Sequence, residues 1–299
     1  SVNTMGENME RDYVIITDSS NDLPVGYAEE QGVVIIPISF EIGDEVFDGR
    51  EKTLTNKEFY DRMRVGEGTK TAAPNINDIE EEFEKALAAG KDVLFTCLSS
   101  GISSTINNAF ICREEMQEKY PDADICVFDS ICACGGHGML IYHAIENKKK
   151  GMSAKENMQA LEALKHHIVH KFTVDDLTYL QRGGRISKTA AMIGGMIQLK
   201  PVLHVDIEGR LAAESKVRGR KKALNQLVSE MENCVGSYAD KQDMVLICHA
   251  DCLEDAEYVQ AKVEEKFHPD KIIISEVGPI IGAHVGPGTM TLFFLGDKR

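Results

Sequence analysis

Three segments of the chain put hydroxyl and carboxylate side chains directly after runs of apolar and β-branched residues: Asp18-Ser19-Ser20, Ser99-Ser100-Gly101 and Asp129-Ser130. If those runs are parallel strands, their carboxyl ends open on one crevice and these side chains gather there. The chemistry on offer is anion recognition or, given a base, nucleophilic attack. The longer stretch Ser99-Ser100-Gly101-Ile102-Ser103-Ser104-Thr105 leads into a helical pattern. The free N–H groups and positive end of such a helix favour a carboxylate or phosphate. No histidine stands in that stretch, so its hydroxyls read as a receptor for an anion and not as nucleophiles. Helix capping is the plainer account of any one of these residues taken singly.

Four further stretches carry chemistry. Thr71-Ala72-Ala73-Pro74 reads as an extended loop before a helix. The run Asp175 to Ser187 places Arg182 and Arg185 around the pair Gly183-Gly184, where they could clamp an anion or a partner's acidic face, or lie as a solvated turn. Arg218-Gly219-Arg220-Lys221-Lys222 falls at a helix start, the end at which cations are disfavoured, and so hints at a partner. Gly278 to Gly288, including Gly286, lets the backbone approach something closely and presents His284, but has neither a dinucleotide-binding nor a phosphate-loop glycine spacing. His166, His167 and His170 read as one half-exposed helix face, and Cys132 with Cys134 as packed core; no metal is expected.

These residues must be positioned by an α/β framework. Val14–Ile16, Val33–Ile36, Val93–Phe95 and Ile125–Phe128 read as buried strands, and Asn77–Ala89, Ile106–Lys119 and Gly135–Lys148 as helices. Asn77 with Glu80 resembles a capping box, and a further helix is expected over Ser153–His170. The second half reads differently. Pro201–Asp206 and Leu211–Ser215 form a hairpin around Glu208-Gly209, followed by helices at Arg220–Cys234 and Leu253–Phe267 and strands at Met244–Cys248, Ile272–Ser275 and Thr291–Leu295. Two domains are therefore expected. One spans 9–168 with a mostly parallel sheet flanked by helices, the other spans 169–299 with a mixed sheet, and the ligand lies between or near them.

Composition narrows the function. With 43% hydrophobic and 27% charged residues in 299, the chain is an ordinary globular protein. Its 48 acidic against 33 basic residues give a net charge of −15, which makes nucleic acid an unlikely main partner. No apolar run is long enough to cross a bilayer, and the first eight residues lack a signal-peptide pattern and are left out of the fold reading, so a cytoplasmic location is expected. The eight cysteines, without a Cys-x-x-Cys pair, read as reduced core thiols, and the absence of a heptad seam favours a monomer.

Taken in order, VIITDSS, TAAPN, LSSGISST, VFDS, DDLTYLQRGGRIS, LKPVLHVDIEGRL and GAHVGPG resemble the DegV family of bacterial fatty-acid-binding proteins, from about Tyr13 to Leu295. The resemblance implies a non-catalytic carrier of one long-chain fatty acid, with no cofactor. Thr71 and Ser103 would bind the carboxylate, with Ser100 and Thr105 as neighbours and an apolar tunnel for the tail. A separate ATP-dependent fatty-acid kinase would phosphorylate the carboxylate, with His284, Arg182, Arg185, Arg218 and Arg220 facing the head group, the phosphoryl group or the kinase. Ala72-Ala73 stands where the family has Ser-Gln, and Ser104 where it has glycine. Burial of some fifteen methylenes would supply up to about 12 kcal/mol, and each hydrogen bond to the charged head about 1.5–3 kcal/mol.

Two other readings stay open on the residues alone. One is a stand-alone hydrolase or phosphotransferase using Asp18, Ser19 or Ser103 with His284 as acid or base. The other is a structural or regulatory protein whose basic clusters only dock a partner.

Overall fold

The computed structural model describes residues 11–186 and 199–299; Ser187, the end of one motif above, lies outside the described residues. The chain opens with β1 (Tyr13–Asp18), α1 (Tyr27–Glu30) and β2 (Val34–Ile36). Then come β3 (Phe40–Ile42), β4 (Glu45–Phe47), α2 (Asn56–Arg64), β5 (Thr69–Thr71), α3 (Ile76–Ala88) and β6 (Asp92–Phe95). The first half ends with α4 (Thr105–Lys119), β7 (Ile125–Val127), α5 (Cys134–Lys149) and α6 (Ala154–Lys165). Strands β2, β1, β6 and β7, in that order, form a wholly parallel sheet, while β4, β3 and β5 form a small antiparallel one.

Between α6 and β8 (Ile168–Thr173) the chain leaves the first sheet and starts another. It continues through α7 (Thr178–Arg182), β9 (Leu199–Val205), β10 (Leu211–Arg218), α8 (Arg220–Val235), β11 (Val245–His249), α9 (Leu253–Phe267), β12 (Ile272–Glu276), α10 (Pro279–Val285) and β13 (Met290–Leu295). The resulting mixed sheet has the order β10-β9-β8-β13-β11-β12, and only β11 and β12 pair in parallel. The parallel first sheet and mixed second sheet are those expected from the sequence.

Helix α5 explains how the two halves join. It is buried all round its first two turns, from Cys134 to Ile141, as a helix must be when it is covered on every side. Glycines allow that closeness: a Cβ at Gly135 would meet Phe293, one at Gly136 would lie 2.0 Å from His170 Nε2, and one at Gly138 would strike the Asn21 carbonyl. Phe293 and His170 belong to the second sheet and Asn21 to the first half, so α5 is packed between them.

Four expectations need correction. The helix over Ser153–His170 stops at Lys165, and Ile168–Thr173 is a fully buried strand. His166, His167 and His170 therefore do not share a helix face: His166 is exposed, while His170 is 1% exposed and its Nε2 accepts the Ala133 N–H at 3.1 Å. Asn75, not Asn77, caps α3, accepting the Asn77 N–H at 2.9 Å. Thr71 ends a strand instead of lying in a loop.

Candidate functional site

A cavity of about 360 Å³ lies where the β6–α4 loop, the end of β5, α10 and the second sheet meet. Its size falls within the range of small-ligand pockets. Buried apolar residues form its depth, among them Leu98, Phe172, Leu180, Val205, Val285 and Phe293, together with the Cys134 thiol. Exposed residues on its wall mark the opening: Ala72, Ala73, Ser100, Ser104 and Asn107. Thr71 and Ser103 line the same cavity beside these residues and are themselves half-buried, between the exposed rim and the buried apolar wall.

Thr71 is held there by pairing. The backbone of β5 pairs with β3, and Thr71 Oγ1 lies 2.7 Å from His284 Nε2 on α10. His284 also lines the cavity, and burial, aided by the positive charge of Arg185, pushes its pKa down to about 4. At neutral pH it is therefore uncharged. With its proton on Nε2 it donates to Thr71 Oγ1, which frees the Thr71 hydroxyl to donate to a ligand. Arg185 lines the same cavity, anchored by a bond to the Gly183 carbonyl at 2.5 Å.

Ser103 sits just before α4, 2.9 Å from Thr105 Oγ1, and also accepts the Thr105 N–H at 3.2 Å. Thr105 is fully buried and does not line the cavity; it orients Ser103. The other strand-end residues converge as expected but serve the loop, not the cavity. Asp18 is fully buried, its Oδ1 accepting the Ser20 N–H at 2.7 Å and the Ser20 hydroxyl at 2.5 Å, its Oδ2 accepting the Leu98 N–H at 3.1 Å. Ser19 accepts the Ile38 N–H at 2.9 Å. Asp129 accepts the N–H groups of Ser100 at 3.1 Å and Ile131 at 3.0 Å, and Ser130, fully buried, donates to the Cys97 carbonyl. Gly286 packs on the Tyr179 ring, where a Cβ would come within 2.5 Å.

This placement corrects two readings. Asp18 and Ser19 do not line the cavity that holds Ser103 and His284, so neither of them pairs there with His284 as nucleophile and base. Arg220 is not a free cation: it pairs with Asp175 at 3.0 Å and Asp255 at 2.8 Å. Arg182 and Arg218 are exposed and lie off the cavity wall. Among the described residues, no three His, Cys, Asp or Glu side chains are grouped to hold a metal ion. Asn107, in the first turn of α4, also lines the cavity and was not singled out in the sequence.

The family model described as "Uncharacterised protein, DegV family" matches residues 12–297. The chain belongs to the DegV family. A DegV domain-containing protein of Clostridium perfringens is 40% identical to it over 288 residues, covering 96% of this chain and 98% of the relative. A stearic acid-binding protein from Eubacterium ventriosum has a similar structure, with a TM-score of 0.84 at 26% identity, covering 95% of this chain and 98% of the other. The Streptococcus pneumoniae Fatty Acid Kinase (Fak) B3 protein, loaded with linoleic acid, shares the DegV fold with a TM-score of 0.85 at 22% identity, covering 96% of this chain and all of the other.

Proposed function

We propose that this protein binds one long-chain fatty acid, its carboxylate held by the Thr71 and Ser103 hydroxyls and its tail in the cavity behind them. The observation that carries this reading is the union of a buried apolar cavity with neutral donors at its opening, Thr71 backed by His284 at 2.7 Å. Neutral donors suit a carboxylate whose tail must enter a dry site, because hydrogen bonds to the charged form offset its desolvation. Arg185 adds the positive charge on the cavity wall.

The protein then acts as a carrier. It presents the carboxylate to a separate ATP-dependent kinase and holds the resulting acyl phosphate, with the exposed Arg182 and Arg218 turned to the partner. The named kinase component of S. pneumoniae, alike in fold, supports this reading, as does the open rim around Ser100 and Ser104, which leaves a head-group oxygen reachable.

Mass spectrometry of the purified protein under native and then denaturing conditions tests the proposal. A single long-chain fatty acid, released on denaturation, is the expected result. Ser103→Ala and Thr71→Ala should each weaken its binding by about tenfold or more, since each removes a hydrogen bond to a charged group. A protein that arrives empty and also refuses added palmitate, stearate and oleate overturns the reading.

A further inference from the structure

Ser99 is fully buried and does not line the cavity; its N–H donates to the Cys132 carbonyl at 2.9 Å, and its carbonyl and hydroxyl serve the loop that does line it. Its carbonyl accepts the N–H groups of Ile102 and Ser103, both at 3.0 Å, and its hydroxyl oxygen accepts the Gly101 N–H at 3.1 Å. That hydroxyl has one proton, and it goes to the Gly209 carbonyl at 2.7 Å. Gly209 is the tip of the β9–β10 hairpin, whose Val205 and Leu211 form part of the cavity wall.

The contact is close enough to be intolerant. A Cβ on Gly101 would lie 2.6 Å from the Gly209 carbonyl oxygen, and one on Gly209 would lie 2.1 Å from Ser99 Oγ. The hairpin tip is itself stiff, since Asp206 Oδ1 accepts the N–H groups of Glu208 at 2.9 Å and Arg210 at 3.0 Å. A rigid tip from the second sheet thus presses on the turn that presents Ser103.

We propose that Ser99 is a positioning residue: it sets Ser103 for the carboxylate only when the hairpin tip is seated, so that the head-group site is complete only when the tail cavity is closed. This rests on the fatty-acid reading above. The mechanism needs no contact between Ser99 and the ligand. It makes head-group affinity a report on hairpin docking.

The test compares palmitate with 1-hexadecanol, which has the same tail and no carboxylate, on wild type, Ser99→Ala, Ser103→Ala, the double variant and Gly101→Ala. Ser99→Ala should weaken palmitate binding about tenfold and hexadecanol binding less than about threefold, with the double variant no weaker than Ser103→Ala alone. Gly101→Ala, which wedges the tip away while leaving the Ser99 side chain in place, should reproduce that loss of carboxylate selectivity and keeps the test alive if Ser99→Ala fails to fold. Equal weakening of both ligands, additive losses in the double variant, or unchanged palmitate binding would each overturn the role of Ser99. Failure of the wild type to bind palmitate would instead overturn the fatty-acid reading itself.

Discussion

His284, hydrogen-bonded to Thr71 on the cavity wall, has its charge state set by its surroundings. Buried beside Arg185, it titrates near 4, and between about 4 and its ordinary 6.5 the unfolded chain holds more protons at this site than the folded one. Its contribution to stability is therefore complete above 6.5 and is lost as the pH falls through about 4. Arg185→Gln removes the neighbouring charge but not the burial, so the His284 pKa should rise while staying below 6.5. An NMR titration of the imidazole in the ligand-free protein checks this, and an unchanged value in Arg185→Gln would mean that burial alone sets it.

Thr71, Ser103, His284 and Arg185, which all line the cavity, each lie in a motif singled out in the sequence, Thr71 through the family resemblance and the other three also through residue types suited to an anion. Ser99 and its partner Gly209 were not legible as a pair, being 110 residues apart and joined by a backbone carbonyl that no side-chain pattern records. The same blindness made Asp18 and Ser19 look like site residues: a carboxylate that braces a loop N–H and one that meets a ligand have the same spacing in sequence.

At the scale of elements, the alternation of strands and helices in the first half was legible because each buried strand of a parallel sheet is a short apolar run. Strand β8 was misread because all six of its residues are buried, including His170 and Lys171, so neither alternation nor an apolar run marks it. Lys171 is accommodated by Glu214 at 2.5 Å, in a stretch of β10 where the register with β9 shifts. The three strands β3 to β5 are three residues each, too short for any periodicity to declare itself.

Helix α5 yields the prediction at this scale. Its entry depends on Gly136 lying against His170, whose ring nitrogen in turn satisfies the Ala133 N–H. Gly136→Ala should cost about 1–3 kcal/mol or more despite the better helix propensity of alanine, because the methyl group and the ring cannot occupy the same space. Urea unfolding measures it. A variant as stable as wild type would show that α5 can slide without loss and that its close approach to the second sheet is not required.

At the scale of the whole molecule, the two halves are joined by a carboxyl group as well as by α5. Asp22, in left-handed backbone after β1, accepts the Gly278 N–H at the start of α10 at 3.0 Å, across 256 residues, beside the Cys134 thiol. Burial raises its pKa to about 7, so near neutrality the folded protein holds a proton there that the unfolded chain has already released. The sign follows: this site's contribution is greatest below the ordinary value of 3.8 and falls as the pH rises towards 7, by up to about 4 kcal/mol. His284 acts in the opposite sense over much of that window, so the raw pH profile of the wild type mixes the two. Asp22→Asn keeps an oxygen for Gly278 and stays neutral at every pH. The stability of Asp22→Asn minus that of wild type, from urea titrations between pH 4 and 8, should therefore grow with pH and level off above 7. A difference that is flat across the range would mean that Asp22 stays ionised in the fold, and that the junction between the two halves tolerates a buried charge.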